Sequence, residues 1–338
     1  MLQSTLQIMG FDELVLSLTQ TGLDWHRDTI IRNSLMNVPH ITHTLRSVPE
    51  DPRPCLIISG GPSLYREKML KRIAKHSSPE FTIVAADSAY VQCLRHDVLP
   101  DYVVTLDPHP TRMVRWFGDP DLEANLNGDD YFARQDLDVS FRENQAVANE
   151  ENIKLVDSYR APLVISSTSP SNVVKRTASH KRYWFAPLVD DPDEEDSITR
   201  KICEATDLPA MNTGGTIGTA AWVFANSILK SENIAVVGMD FGYYYDTPIE
   251  QTQSWHMLNG DREYYPSYVN PDGQRFFTDP TYWWYRQNFL DLLEANDKTV
   301  SNCSGAGLLY GDRVAWRVFE EWLGYKPVME TLTTWRVK

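Results

Sequence analysis

Five short apolar runs, each closed by polar residues or glycine, most constrain what this chain can fold into. They are "CLIIS" at 55–59, "FTIVAAD" at 81–87, "DYVVTLD" at 101–107, "PLVISST" at 162–168 and "IAVVGMDFGY" at 234–243. Each is rich in β-branched residues and too short for a buried helix, so each reads as a strand covered on both faces. Segments with helical spacing separate them, the first two at about Leu64–Lys75 and Ala89–Arg95. A parallel pair of strands needs a crossover of a dozen or more residues, and strands alternating with helices supply it. The expected fold class is therefore α/β: a Rossmann-like parallel sheet with helices on both faces.

Other stretches set the organisation. Residues 1–50 carry apolar positions at helical spacing and predict an N-terminal helical cap, ended by "PEDPRP". The main domain is expected over 51–311, with a polar, acidic insertion at about 116–152 that reads as a lid over one end of the sheet. "YWFAPLV" suggests a further strand, and "DDPDEEDSITR" a solvated acidic loop. "YVNPDGQRFF" predicts a β-hairpin turning at Asn270–Gly273; a helix over Tyr282–Glu294 and a short strand and loop at "TVSNCSGAG" follow. Residues 312–338 read as a helical tail in which Trp316, Phe319 and Trp322 cover the sheet.

Composition excludes several functions. With 46 acidic against 32 basic residues the formal charge is −14, the wrong sign for a general nucleic-acid binder. Cys55, Cys93, Cys203 and Cys303 are widely spaced, with no C-x-x-C pair, and no charged-then-apolar leader is evident. Reduced thiols and a cytoplasmic location are expected. No apolar run approaches the ~20 residues of a membrane span, so no membrane span is expected. A homo-oligomer is left open.

Chemistry is expected where strands end. At Ser59-Gly60-Gly61-Pro62-Ser63 a strand turns sharply into a helix, which can present backbone N–H groups to a phosphate. The same residues also make a plain turn with a serine cap. Thr213-Gly214-Gly215 offers a second glycine turn ahead of a small-residue helix, in which Gly218 serves close packing. Asp87, Ser88 and Tyr90, Asp107 and His109, and Asp240 and Tyr243 stand at further strand ends, where each also suits helix capping. Open parallel sheets bind ligands beyond the carboxyl ends of their strands. His256 lies in an aromatic loop after the last of these strands, as a candidate general base or a solvated structural residue.

In order, "IISGGPSL", "VAADSAYVQCLRHDVLPDYVVTLDP", "NTGGTIGTAAWVFANSILKSENIAVVGMDFGY" and His256 resemble the MptE-like family. That family includes 6-hydroxymethylpterin diphosphokinases and motility accessory factors linked to flagellin glycosylation. The diphosphokinases carry a D-x-D pair after the third strand, suited to Mg²⁺ against a triphosphate. Here the segment is Thr105-Leu106-Asp107, so the first carboxylate is absent.

"SGGPSL" and "GMDFGY" are also similar to blocks of bacterial lipooligosaccharide sialyltransferases, which use CMP-sugars, although Gly60 stands where those enzymes have asparagine. The resemblance implies a transferase that moves a nonulosonic-acid-type sugar from a CMP-sugar co-substrate to a hydroxyl of an acceptor glycan or protein, with no other cofactor. It implies that Ser59, Gly60, Gly61, Pro62, Ser63, Asp87, Ser88, Asp107, Thr213, Gly214, Gly215 and Asp240 line the nucleotide. Tyr243 and Tyr244 would lie at the leaving phosphate; that enzyme class uses a histidine as base, and His256, which is similar to the histidine after the matching strand of the accessory factors rather than to that one, is the candidate for it here. The alternatives are a diphosphokinase using ATP and Mg²⁺ near Asp87 and Asp107, and a non-catalytic nucleotide-binding protein.

Overall fold

The structure is a computed structural model that describes residues 10–76, 80–108, 113–122, 141–252, 254–258 and 262–324. Its strands are β1 His43–Thr44, β2 Cys55–Ile58, β3 Thr82–Ala86, β4 Tyr102–Thr105, β5 Leu163–Ser166, β6 Arg182–Leu188, β7 Ala210–Asn212, β8 Ile234–Val237, β9 Tyr243–Tyr244, β10 Ser267–Val269, β11 Arg275–Phe277, β12 Val300–Asn302 and β13 Val314–Trp316. Ten of them form one sheet in the order β1-β6-β5-β4-β3-β2-β8-β12-β13, with β7 beside β6. Every pairing between these strands is parallel. This is the expected Rossmann-like α/β fold.

Period-two alternation explains why the strands read as unbroken apolar runs. In β2, Leu56 and Ile58 belong to the core on one face, while Cys55 and Ile57 belong to the core on the other. All four are fully buried. Helices cover both faces: Tyr90 and Val156 join the first core, Trp222 and Phe289 the second.

Chain order decides where the crevice falls. The chain builds outward from β2 through β3, β4, β5 and β6, then returns to lay β8 and β12 on the other side of β2. The order therefore reverses between β2 and β8. At such a switch point, adjacent crossovers leave in opposite directions and open a cleft at the carboxyl ends of the strands.

Several expectations are refined. Among the described residues the N-terminal cap is built on the helix Phe11–Asn37, but it is followed by β1, which joins the sheet edge beside β6. A two-residue strand has no periodicity to read. The helix expected over Leu64–Lys75 breaks into Ser63–Arg66 and Met69–Ala74 at Lys68, whose φ is +53°. The insertion's last part is the start of an 18-residue helix, Phe141–Ser158, whose Val156 packs into the core beneath it. The lid expected over the remainder falls largely outside the described residues. The acidic loop ends sooner than expected, because Asp190 caps a helix starting at Ile198 through the N–H groups of Ile198 and Thr199. The tail begins as strand β13, paired with β12, before the helix Phe319–Gly324.

The Phe11–Asn37 helix is fixed to the carboxyl end of β5 by buried amides and hydroxyls. Asn33 donates to Thr168 O (2.8 Å), Ser34 and Ser167 share a hydroxyl bond (2.9 Å), and Asn37 donates to Ser167 O (2.8 Å) and Ser169 O (2.7 Å). Asn37→Ala should strand both carbonyls and lower the unfolding free energy by about 2 kcal/mol. A lower urea midpoint measures it, with exposed Leu35→Ala as the control expected to stay within about 0.5 kcal/mol.

Candidate functional site at the switch point

The two strands flanking the switch point both run into glycine, β2 into Ser59-Gly60-Gly61 and β8 into Gly238. Their ends are joined across the crevice. Ser59 N–H donates to Val237 O (2.9 Å) and Gly61 N–H to Gly238 O (2.8 Å). The Asp240 carboxylate then accepts from Ser63 N–H (2.7 Å) and from Ser63 Oγ (2.5 Å). Asp240 is 3% exposed, and burial pushes its carboxyl up to about 6 against the opposing effect of the two Ser63 bonds. Its surroundings leave no slack. A Cβ on Gly61 would sit 2.8 Å from Asp240 Oδ2, and one on Gly307 would sit 2.8 Å from Asp240 Cα.

This arrangement changes what the first glycine turn can offer a ligand. The N–H groups of Ser59, Gly61 and Ser63 are engaged internally, as is that of Leu64 on Gly61 O, and Pro62 has none. Gly60 is exposed, and its N–H makes no hydrogen bond among the described residues. Beside it, a Cβ on Gly60 would lie 2.7 Å from Ser88 Oγ, which places the exposed Ser88 at the start of the helix Asp87–Arg95 against the same turn. On the other side, a Cβ on Gly218 would lie 2.8 Å from Ser59 Oγ, so the helix Ile217–Val223 after the second glycine turn meets the first turn directly.

Two buried hydroxyls, one at each turn, lack partners among the described residues. Ser59 Oγ (residue 6% exposed) and Thr219 Oγ1 (0%) find no hydrogen bond among the described residues. An unpaired buried hydroxyl costs about 1–3 kcal/mol, so such atoms mark where a ligand or water belongs.

The remaining candidates are distributed around this centre. Thr213 is buried and its carbonyl accepts from Thr216 N–H; Gly214 and Gly215 follow at positive φ (53° and 82°), Gly215 against Trp284 and Tyr285. Asp87 is 2% exposed and its Oδ1 accepts from Ser88 N–H (2.6 Å). Asp107 is half-buried in the loop after β4, beyond the fully buried Thr105. Thr105 stands in the first position of the pair that holds Mg²⁺ in the diphosphokinase alternative, which leaves Asp87 and Asp107 as the carboxylates expected near it.

Tyr243 and Tyr244 lie on a small antiparallel sheet, β10-β11-β9, that includes the expected hairpin. Tyr243 is buried, stacks on Phe277 and donates to Asp279 Oδ2 (3.0 Å). Tyr244 donates to Glu67 Oε1 (2.8 Å), and burial together with that bond pushes its hydroxyl up. The Arg66 guanidinium lies 4.3 Å from the centre of the Tyr244 ring and pairs with Asp246 at 2.6 Å. His256 is on the short helix Trp255–Leu258, and its side chain, like His109, lies outside the described residues. That helix borders a cavity of about 470 Å³ lined by residues of the Tyr245–Glu250 segment with Trp255, Arg262, Tyr265 and Phe277. Sequence reasoning did not single out Thr219, Glu67, Asp279 or this cavity. Thr219 had a signal in "TGGTIGT"; the others come together only through tertiary packing.

With this geometry in hand, comparison with known proteins bears on its class. Residues 30–124, which hold β1 to β4 and the first glycine turn, match the family described as 6-hydroxymethylpterin diphosphokinase MptE-like. No curated protein matches the chain. Among solved structures, the MAf glycosyltransferase from Magnetospirillum magneticum AMB-1 is similar with a TM-score of 0.52 at 14% identity, over 88% of this chain and 41% of that one. The chain thus spans less than half the length of that neighbour. The resemblance to the MptE-like family is borne out over the matched residues, and the likeness to the glycosyltransferase extends the shared fold to most of the chain. Among the described residues no helix is long and apolar enough to cross a membrane.

A buried carboxyl raised above its unfolded value favours the folded state most at low pH. That advantage is complete below about 4 and is lost as pH rises through about 6, for a total near 3 kcal/mol. Asp240→Asn can keep both bonds to Ser63, with its oxygen accepting from the N–H and its amide donating to Oγ. Urea titrations should show the wild type losing this increment between pH 4 and pH 7 relative to Asp240→Asn.

Proposed function

We propose that the chain is a nucleotide-using transferase that moves a nonulosonic-acid-type sugar from a CMP-sugar to an acceptor hydroxyl. The observation that carries this reading is the set of unengaged neutral groups at the switch point: the Gly60 N–H and the orphaned Ser59 and Thr219 hydroxyls. Ser88 stands next to them. These described groups include no Lys or Arg. Neutral donors suit the single phosphate of a nucleoside monophosphate better than a triphosphate, whose charge calls for cations. Thr213 to Gly215 and Asp107, on neighbouring strand ends, would border the donor sugar and nucleoside.

In this reading the acceptor oxygen attacks the anomeric carbon as the bond from that carbon to the phosphate oxygen breaks, with inversion. His256 takes the acceptor proton, and CMP leaves with the bonding pair, stabilised by the donors at the glycine turn. Asp240 and Pro62 act indirectly, by fixing the turn. Tyr243 and Asp87 likewise serve through position, since the groups described for them are engaged with Asp279 and Ser88.

The family match favours a second reading, transfer of a pyrophosphoryl group from ATP to a hydroxymethyl pterin. A thermal-shift panel separates the two, because a ligand that binds only the native state raises apparent stability, by about 2.7 kcal/mol at a hundredfold excess over Kd. CMP or a CMP-sugar should raise the Tm without Mg²⁺, and Ser59→Ala should reduce that gain. A rise with ATP only when Mg²⁺ is added would favour the second reading. His256→Ala should abolish transfer while leaving the CMP shift intact; unchanged turnover would remove His256 from the mechanism. A CMP shift with no turnover of any donor would identify a non-catalytic nucleotide-binding protein.

A further inference from the structure

The cavity beside the small sheet is partly open, and its lining mixes aromatic and charged residues. Two aromatic walls are held in place from behind. Tyr265 is 7% exposed and its hydroxyl accepts from Thr252 Oγ1 (3.2 Å), while the Arg275 guanidinium packs 4.7 Å from the centre of the Tyr245 ring. Trp255 forms a third wall, half-buried. Asp246, Glu250 and Arg262 also line the cavity.

Flat apolar faces alternating with carboxylate and guanidinium groups match one class of small molecule closely. A pyranose has apolar C–H faces that lie against rings and equatorial hydroxyls that bond carboxylates and guanidinium at its edge. At about 470 Å³ the cavity falls in the usual range for small-ligand sites. Its rim is tied to the glycine turn. Arg66, on the helix that begins at Ser63, pairs with Asp246 at the cavity, and its neighbour Glu67 holds Tyr244.

We propose that this cavity is a saccharide site that seats the acceptor sugar, with Trp255 and Tyr245 as stacking walls and Asp246 and Glu250 as hydroxyl acceptors. The assignment of the sugar as acceptor rests on the transferase reading above; the saccharide site itself does not.

Saturation-transfer NMR and calorimetry with glucose, galactose, mannose and their N-acetylamino forms test it, on wild type, Trp255→Ala, Tyr245→Ala and Asp246→Asn. Circular dichroism and urea midpoints establish that each variant is folded. At least one sugar should bind the wild type in the millimolar range. Each wall substitution should weaken it about tenfold, as the loss of one stacking contact predicts, with CMP binding unchanged. No binding by any sugar at tens of millimolar would overturn the proposal. So would equal affinity in folded Trp255→Ala and Tyr245→Ala, or displacement of the sugar's role by a serine-containing peptide that alone binds the cavity. If the wild type binds a sugar but no CMP, the transferase reading falls and the saccharide site stands.

Discussion

A single buried carboxylate joins the two halves of this protein. Asp240 leaves β8 and reaches across the reversal of strand order to hold the first turn of the helix that follows β2, through both the amide and the hydroxyl of Ser63. Burying a carboxyl away from water is unfavourable unless it is well bonded, and its rise to about 6 records the part of that penalty the two bonds leave uncompensated. The position persists because several close approaches converge on it. Leu308 N–H donates to Asp240 O at 2.7 Å, and Ser304 Oγ accepts from Gly238 N–H at 3.1 Å, so the segment after β12 closes over the same residue. The crevice therefore has a rigid floor.

That floor determines the chemistry above it. Strand-to-helix turns at switch points commonly meet phosphate with a row of free amides at a helix N-terminus. Here a side-chain anion already occupies the amide at Ser63, so the groups of the turn left without a bond among the described residues lie toward its start, at Gly60 and Ser59, with Ser88 beside them. Gly218 matters for the same reason: its missing Cβ lets the second helix come against Ser59, while the next residue, Thr219, lies against Gly214 of the second turn. Two glycine turns far apart in sequence thus come into contact.

Much of this fold was legible in the sequence, for reasons that can be traced to particular residues. The β-branched runs at Cys55–Ile58 and Thr82–Ala86 are buried on both faces, so their strand character survives in composition alone. The hairpin was equally plain, because Asn270 takes up the turn with its own side chain, accepting from Asp272 and Gln274 N–H groups. β1 was not legible, since two residues at a sheet edge leave no pattern, and Val314–Trp316 looked helical because aromatic spacing does not reveal pairing with β12. At the site, residue types and strand-end positions identified the glycine turns. What they could not reveal was that Asp240 engages the turn from inside, because that depends on a contact across 177 residues of sequence.

The same contact explains why the aromatic region belongs to the crevice. The backbone continues from Asp240 through Phe241, at φ +51°, into Tyr243 and Tyr244. Phe241 O is held by Thr278 Oγ1, and Tyr243 by Asp279, so the start of the helix Pro280–Ala295 fixes the small sheet relative to β8. On the opposite side, Glu67 and Arg66 grip Tyr244 from the helix that Asp240 caps. Burial raises the Asp240 carboxyl and the nearby Glu67 charge adds to that rise, while Arg66 against the Tyr244 ring only partly offsets the rise of the Tyr244 hydroxyl that burial and the Glu67 bond cause. Loosening the Asp240 clamp would therefore displace the glycine turn, the Arg66–Asp246 pair and the cavity rim together. In the proposed transfer, such a shared support would keep the two reacting atoms at near-contact distance, where a misplacement of one ångström is enough to slow a transfer a hundredfold, about 3 kcal/mol.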